Sequence, residues 1–204
     1  MIVVDAKSKI LGNVDGNAIL KAIELAGRVC YKSEKKITDT SAIEFVRGLI
    51  KRGHTAVLEH QSVSVRLIID RGVSHEVMRH RIAAYCQEST RYCNYGKEDN
   101  ITVIGMAHHF KNEQSFDVWV TAMQACETAY MQLLKNGETP QIARSVLPNS
   151  LKTEIICTFN MREWRHFFKL RTAMAAHPQM REITIPLLKK FKKLIPVIFE
   201  DIGE

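Results

Sequence analysis

The sequence has 204 residues, of which 46% are hydrophobic and 25% charged, and this composition is typical of a globular protein with one full hydrophobic core. A net charge of +7 favours nucleic acid, an acidic membrane surface or small polyanionic ligands as partners. The sequence contains no bilayer-length apolar run, and Met1–Asp5 does not resemble a signal peptide. We therefore expect a single domain over residues 1–204, located in the cytoplasm.

The first half of the chain predicts two helices, a strand and a short helix. Residues 16–31 have helical apolar spacing, and a second helix begins near Ser41 and stops at Gly53. Residues 60–70 alternate between apolar and polar side chains, which indicates a strand with one buried face. Gly72-Val73-Ser74 then turns the chain into a short helix that leads to Arg79, with Ser74 expected as its N-cap.

The second half is mostly helical. Residues 89–104 predict irregular structure or short strands, and residues 151–159 alternate as another strand. Helices are predicted over residues 112–135, 138–144 and 160–170, and after His177-Pro178. Because no regular βαβ alternation appears, the sequence predicts an α+β fold with a mixed sheet flanked by helices.

The cysteines exclude two kinds of site. There are five, an odd number, and none has the Cys-x-x-Cys spacing, which argues against a disulfide framework and a structural zinc site. Cys86 and Cys93 lie in the arginine- and histidine-containing stretch 75–95, so a nucleophilic thiol has to be considered. A reduced cysteine that packs or lines a pocket is the favoured interpretation.

The stretch His75–Tyr95 is the most distinctive part of the chain. Three arginines, two histidines and two hydroxyl residues occupy the 17 positions 75–91. Taken alone, Arg79-His80-Arg81 could be a solvated helix end. The triplet is followed by seven residues and then Ser89, however, and this spacing closely resembles the signature of the flavin-dependent thymidylate synthases.

The resemblance implies roles for the residues of this stretch. Arg79, His80 and Arg81 would contact FAD, and Arg79 would also lie near the substrate dUMP. The loop around the phosphate and sugar of dUMP would be formed by Gln87, Glu88, Ser89, Thr90 and Arg91, with Glu76 as a further dUMP contact and Gln87 also touching FAD. The chemistry agrees, because a hydroxyl beside an arginine in a tight turn is suited to binding phosphate.

The turn Gly53–His60 precedes the first strand. Its histidines and Glu59 match no metalloprotease spacing, so on their own they indicate a loop with structural hydrogen bonds and no metal. In the resembled family a similar turn stands at this distance from the signature. The resemblance places His54 near the flavin and folate pocket and Ala56 at a flavin-contacting position where the family usually has a hydroxyl residue.

Ala143-Arg144-Ser145-Val146-Leu147-Pro148 reads as a helix end with a charged last turn. It also resembles the family's Ala-Arg-x-x-Leu-Pro element. That resemblance implies that Arg144 reaches dUMP across a subunit boundary, with active sites shared between subunits.

Residues 160–171 predict an amphipathic helix with Trp164, Phe167, Phe168 and Arg171 on one side. Exposed charge on such a helix needs no function. The family resemblance nevertheless assigns flavin contacts to Asn160, Arg162 and His166, although His166 stands where the family often has Asn. It assigns Arg171 to the uracil ring as the catalytic residue.

The resemblance covers about residues 53–182 and implies reductive methylation of dUMP to dTMP. Methylenetetrahydrofolate would supply the carbon, and FAD reduced by NADPH would supply the electrons, in a homotetramer that needs neither nucleic acid nor a membrane. A basic nucleic-acid-binding module is the alternative, but the sequence shows neither an aromatic stacking platform nor a DNA-reading motif. A thiol enzyme using Cys86 or Cys93 lacks an evident oriented base.

Overall fold

The computed structural model describes residues 1–97 and 99–203 and has an α+β fold. The strands are β1 (Ile2–Val4), β2 (Lys7–Ile10), β3 (Ser62–Asp70), β4 (Ala83–Gln87), β5 (Thr102–Ile104) and β6 (Lys152–Asn160). The helices are α1 (Gly16–Val29), α2 (Ser41–Lys51), α3 (Arg71–Val77), α4 (Glu113–Lys135), α5 (Pro140–Ala143), α6 (Met161–Arg171), α7 (Pro178–Leu194) and α8 (Pro196–Phe199).

The strands form two sheets. β1 and β5 pair in parallel, with Val3 opposite Val103. The other sheet has the order β2-β3-β6-β4. On β3 the side chains of Val63, Val65 and Leu67 are buried, whereas Ser62 and Arg66 are exposed, which confirms the predicted alternation. The strands β1, β2 and β4 were not predicted.

The chain divides into two compact units. The first unit comprises Met1–Lys7, Leu67–Arg79 and Cys86–Ile156, and the second comprises Ser8–Arg66, His80–Tyr85 and Cys157–Glu204. The α+β class is confirmed, while the single domain over residues 1–204 stays a prediction. Within the described residues, no helix is long and apolar enough to cross a membrane. The cytoplasmic location therefore also stays a prediction.

In the first unit, α4 packs on a small apolar core. Buried side chains of this core include Ile101, Val103, Met123, Tyr130 and Leu151. The helix α3 begins differently from the prediction, because Asp70 rather than Ser74 is its N-cap. The Asp70 carboxylate accepts from the backbone N–H of Val73 at 2.6 Å, which satisfies a donor that the first turn of a helix leaves open.

The second unit is built on an aromatic core. Trp164 of α6 lies 4.9 Å from Phe191 of α7 and 5.5 Å from Phe168, measured between ring centroids. Its indole N–H donates to the carbonyl of Val63 at 3.0 Å, so the polar group of this fully buried ring is satisfied. Phe167 is buried in the same core. These contacts fix the helix that carries the predicted residues Arg162, His166 and Arg171.

Candidate active site

The predicted site residues fall into two groups, one in each unit. In the first unit, Ser89–Tyr92 form a turn that follows β4, which we call the Ser89 turn. The backbone N–H of Tyr92 donates to the carbonyl of Ser89 at 3.2 Å, and the backbone N–H of Arg91 donates to the Ser89 hydroxyl at 3.3 Å. The side chain of Ser89 is thereby held at the centre of the turn.

Two arginines are associated with this turn, Arg91 within it and Arg144 beside it. Arg144 follows α5 and donates from its guanidinium to the hydroxyl of Thr90 at 3.3 Å. Arg91 donates to the side-chain carbonyl of Gln141 at 3.0 Å. Both arginines are exposed, whereas Thr90 is buried. An exposed guanidinium bonded to a hydroxyl, with a second exposed arginine in the same turn, is suited to binding a phosphate.

Glu88 braces the base of the turn. Its carboxylate accepts from the Lys152 ammonium at 2.9 Å, the Tyr95 hydroxyl at 2.8 Å and the backbone N–H of Glu154 at 3.2 Å. Burial acts to lower the pKa of Lys152, but the hydrogen bond to Glu88 and the negative charges of Glu88 and Glu154 together outweigh burial, so this pKa is raised. The pKa of Tyr95 is raised by burial and by the same carboxylate. Glu88 therefore anchors the Ser89 turn to β6.

The other predicted residues of the first unit lie on neighbouring elements. The amide nitrogen of Gln87 donates to the hydroxyls of Ser74 and Thr153, at 2.8 and 3.2 Å. Glu76 lies in α3, and Arg79 is exposed just after this helix. Whether Gln87, Glu88, Glu76 and Arg79 contact dUMP stays a prediction.

In the second unit, His80 links two residues of α6. The ring of His80 is 5% exposed and contacts Glu163 through Nδ1 at 2.6 Å. Its Nε2 accepts from the Nε–H of Arg171 at 3.2 Å. Burial lowers the pKa of His80 below its ordinary value, with Glu163 acting in the opposite direction. Both ring nitrogens thus contact protein groups.

The remaining residues predicted to contact flavin lie in the same unit, and most are exposed. Exposed members are His54, Ala56, Arg81, Arg162 and His166. Gly53 lies between α2 and the short 3₁₀ helix Thr55–His60, and its φ of +76° is a conformation that glycine adopts readily. Asn160 is the N-cap of α6 and accepts from the backbone N–H of Glu163 at 2.8 Å. Arg162 pairs with Glu59 at 2.5 Å.

The sequence analysis did not identify Glu163, Lys152 and Gln141, which contact the predicted site residues. The sequence did contain one indication that Glu163 matters, because it is an acidic residue next to Trp164 on the apolar side of a predicted helix. A carboxylate in such a position needs a partner. Nothing in the sequence points to Lys152 or Gln141, because their partners are distant along the chain. Lys152 lies 64 positions from Glu88, and Gln141 lies 50 positions from Arg91.

Comparisons with known proteins bear on both groups. Residues 15–197 match the family model described as thymidylate synthase complementing protein. A flavin-dependent thymidylate synthase of Geobacter sulfurreducens is 36% identical over 189 residues, which cover 89% of this chain and 81% of that protein. A flavin-dependent thymidylate synthase of Mycolicibacterium gilvum is 33% identical over 207 residues, 93% of this chain and 81% of that protein. The predicted family resemblance is therefore confirmed.

A solved structure supports the fold. The UMP/dUMP methylase PolB of Streptomyces cacaoi, bound with 5-Br dUMP, superposes with a TM-score of 0.82. The two chains are 23% identical, and the match covers 98% of this chain and 96% of PolB. At this level of identity the likeness concerns the fold.

Proposed function

The chain belongs to the family of thymidylate synthase complementing proteins, and from that premise we propose that it is a flavin-dependent thymidylate synthase that methylates dUMP to dTMP. The flavin is proposed to be FAD, methylenetetrahydrofolate the carbon donor, and NADPH the source of electrons. The relatives named above carry the same activity in their names.

The observation that carries the proposal for dUMP is the Ser89 turn, which contains Arg91 and contacts Arg144. A nucleoside monophosphate presents a dianionic phosphate, which two guanidinium groups and the hydroxyls of Ser89 and Thr90 can bind by charge-assisted hydrogen bonds. The bond between Arg144 and Thr90 holds one guanidinium beside the turn at 3.3 Å. Gln87, Glu88, Glu76 and Arg79 would then contact the sugar and base.

The donors of the second unit fit a flavin dinucleotide. Arg81, Arg162 and His166 are exposed cationic or imidazole donors, and a pyrophosphate requires such groups. The proposed FAD contacts are these three residues together with Arg79, Asn160, Gln87, His54 and Ala56. Any contact of His80 with FAD would use the edge or face of its ring, because its nitrogens contact Glu163 and Arg171. When bound, the flavin supplies the two electrons of the reductive methylation.

Arg171 is the proposed catalytic residue. The pyrimidine ring has to become electron-rich before its carbon can bond to the incoming methylene carbon, and a fixed guanidinium stabilises the negative charge that then develops more than it stabilises the uncharged ring. Arg171 lies at the end of α6, where its backbone carbonyl accepts from the Thr184 hydroxyl at 2.9 Å. The Thr184 hydroxyl of α7 therefore fixes the helix end that carries Arg171, and the bond to His80 holds its guanidinium.

Lysine at position 171 tests this role, because it keeps the charge but loses the planar pair of donors. We expect Arg171→Lys to bind FAD and dUMP and to turn over slowly. The measurement is single-turnover oxidation of prereduced enzyme with dUMP and methylenetetrahydrofolate both saturating. If Arg171→Lys and Arg171→Ala both react at the wild-type rate, Arg171 has no catalytic role.

Titration of the purified protein with FAD tests the function as a whole. We expect the visible flavin spectrum to appear in the protein fraction and dUMP to perturb it. A protein that takes up no flavin but binds oligonucleotides with a steep salt dependence would support the nucleic-acid alternative. We further propose a homotetramer with active sites shared between subunits, and light scattering of the FAD-loaded protein would measure its mass.

A further inference from the structure

We propose that His80 and Glu163 form a positioning pair that holds the Arg171 guanidinium for its task at the uracil ring. This proposal rests on the proposed function, because Arg171 needs a fixed position only if it acts on the substrate. His80 itself would touch neither the reacting atoms nor the transferred carbon with its nitrogens. It would act through Arg171.

The hydrogen bonds determine the tautomer of His80. A guanidinium group only donates, so Nε2 of His80 must accept from Arg171 and cannot carry a proton. The proton of the neutral ring then lies on Nδ1 and is donated to the Glu163 carboxylate, 2.6 Å away. Glu163 thereby selects the one neutral tautomer that leaves Nε2 available to Arg171.

The surroundings leave the ring little freedom to turn. Phe167 packs edge-on against His80 with 5.0 Å between ring centroids, and Phe159 stacks at 6.1 Å. The hydroxyl of Tyr85 donates to the backbone carbonyl of His80 at 2.7 Å. A ring packed against two aromatic side chains and fixed at its backbone can transmit a fixed geometry to Arg171.

The helix α6 supplies both ends of the arrangement. Glu163 lies in its first turn and Arg171 in its last, eight residues later, a separation of about 12 Å along the axis at 1.5 Å per residue. Side chains on one helix contact each other at i, i+3 or i, i+4 spacing, so Glu163 and Arg171 are too far apart for such a contact. His80, from outside the helix, bridges them. This explains why an acidic residue is buried beside the aromatic core.

The same atoms could be taken for a metal site. Ligand atoms of His80, Glu163 and His166 lie within 4.8 Å of one another. The guanidinium bonded to Nε2 of His80 opposes a cation there, and coordination through Nδ1 would displace the contact with Glu163. The charged and titratable groups that face His80 are Glu163, Arg171 and His166, with the Tyr85 hydroxyl at its backbone. The geometry favours a proton on Nδ1 over a metal.

Two substitutions of His80 separate the two bonds of its ring. Asparagine places its amide near Nδ1, so His80→Asn can still donate to Glu163 but offers no acceptor to Arg171. Glutamine reaches to the position of Nε2, so His80→Gln can still accept from Arg171. His108→Asn, at an exposed histidine of the other unit, serves as the matched control.

We expect His80→Asn to lower the single-turnover rate roughly tenfold to hundredfold, the loss from one charge-assisted hydrogen bond. The dissociation constant of dUMP should stay close to the wild-type value, and the rate is measured with FAD saturating so that a lost flavin contact of His80 does not lower it. His80→Gln should keep most of the rate, and His108→Asn all of it. Equal losses in His80→Asn and His80→Gln, with both ligands saturating, would overturn the proposal.

The second arm needs no turnover. In ¹⁵N spectra of the wild-type protein at neutral pH, His80 should be a neutral ring protonated on Nδ1, and the Nε–H signal of Arg171 should move in His80→Asn. A proton on Nε2 of His80, or an unmoved Arg171 signal, would refute the pair even if His80→Gln failed to fold. A wild-type protein that forms no dTMP would refute the proposed function instead. The ¹⁵N spectra would still show whether His80 and Glu163 hold Arg171.

Discussion

Removing the Glu88 carboxylate should destabilise the first unit by an amount that can be worked out from its contacts. Glu88→Ala deletes the acceptor of Lys152, of the Tyr95 hydroxyl and of the backbone N–H of Glu154. The side chains of Glu88 and Lys152 are only 15% and 21% exposed. The ion pair is therefore largely shielded from water, and losing one partner leaves a cation behind.

The magnitude lies between two limits. Breaking a fully buried ion pair costs about 3–5 kcal/mol, and an exposed pair contributes about 0–1 kcal/mol. Lys152 keeps a second carboxylate, that of Glu154, at 3.4 Å. We therefore expect Glu88→Ala to lower the free energy of unfolding by about 2–3 kcal/mol. In a chain of this size each kcal/mol lowers Tm by about 2–4 °C, so Tm should fall by about 4–12 °C.

Thermal unfolding at neutral pH, followed by circular dichroism, measures this shift. Glu88→Gln keeps an acceptor for Tyr95 and should lose less. Glu44→Ala, which removes an 80% exposed partner of Arg47, is the control and should change Tm by less than about 2 °C. If Glu88→Ala shifts Tm no more than Glu44→Ala, the carboxylate does not brace the turn, and a direct dUMP contact becomes its better explanation.

Three further predictions concern the site. Arg91→Ala should weaken dUMP binding about tenfold to hundredfold and leave FAD binding unchanged, and equal losses in calorimetry would contradict the phosphate assignment. Cys86→Ala and Cys93→Ala should each still form dTMP, because the reaction requires no enzymic thiol; a variant that folds and binds both ligands but forms none would refute this. Burial lowers the pKa of His80 below 6.5, so the rate should fall only at a pH below that value, as Nε2 becomes protonated. Glu163 raises that pKa, so Glu163→Gln should move the acid limb of the pH–rate profile to lower pH, and an upward shift would count against the pair.

Local patterns predicted most of the elements. The long helix was expected over residues 112–135 and spans Glu113–Lys135, because its apolar spacing and the Asn112 cap are readable within the segment. The strands β1 and β2 were missed because three or four residues give too little alternation to identify. Their pairing depends on partners elsewhere in the chain, as Val3 opposite Val103 shows.

Site residues that belong to a local sequence motif could be predicted, whereas contacts between residues distant in the sequence could not. Arg-His-Arg followed by Ser89 indicated the family from one stretch of sequence. The sequence could not show that His80 is buried with both nitrogens bonded, since Glu163 and Arg171 lie 83 and 91 positions away. Nor could it show that Asp70 rather than Ser74 caps α3, because both residue types are good caps and the backbone conformation decides.

If this protein methylates dUMP with electrons from a bound flavin, oxidation of the flavin and formation of dTMP must occur together. The most direct measurement mixes the prereduced FAD-loaded protein with dUMP and methylenetetrahydrofolate without oxygen, and follows flavin absorbance and dTMP together. We expect one dTMP to form for each flavin oxidised, and we expect neither change when dUMP is omitted. Flavin that stays reduced, or is oxidised without dTMP being formed, would contradict it.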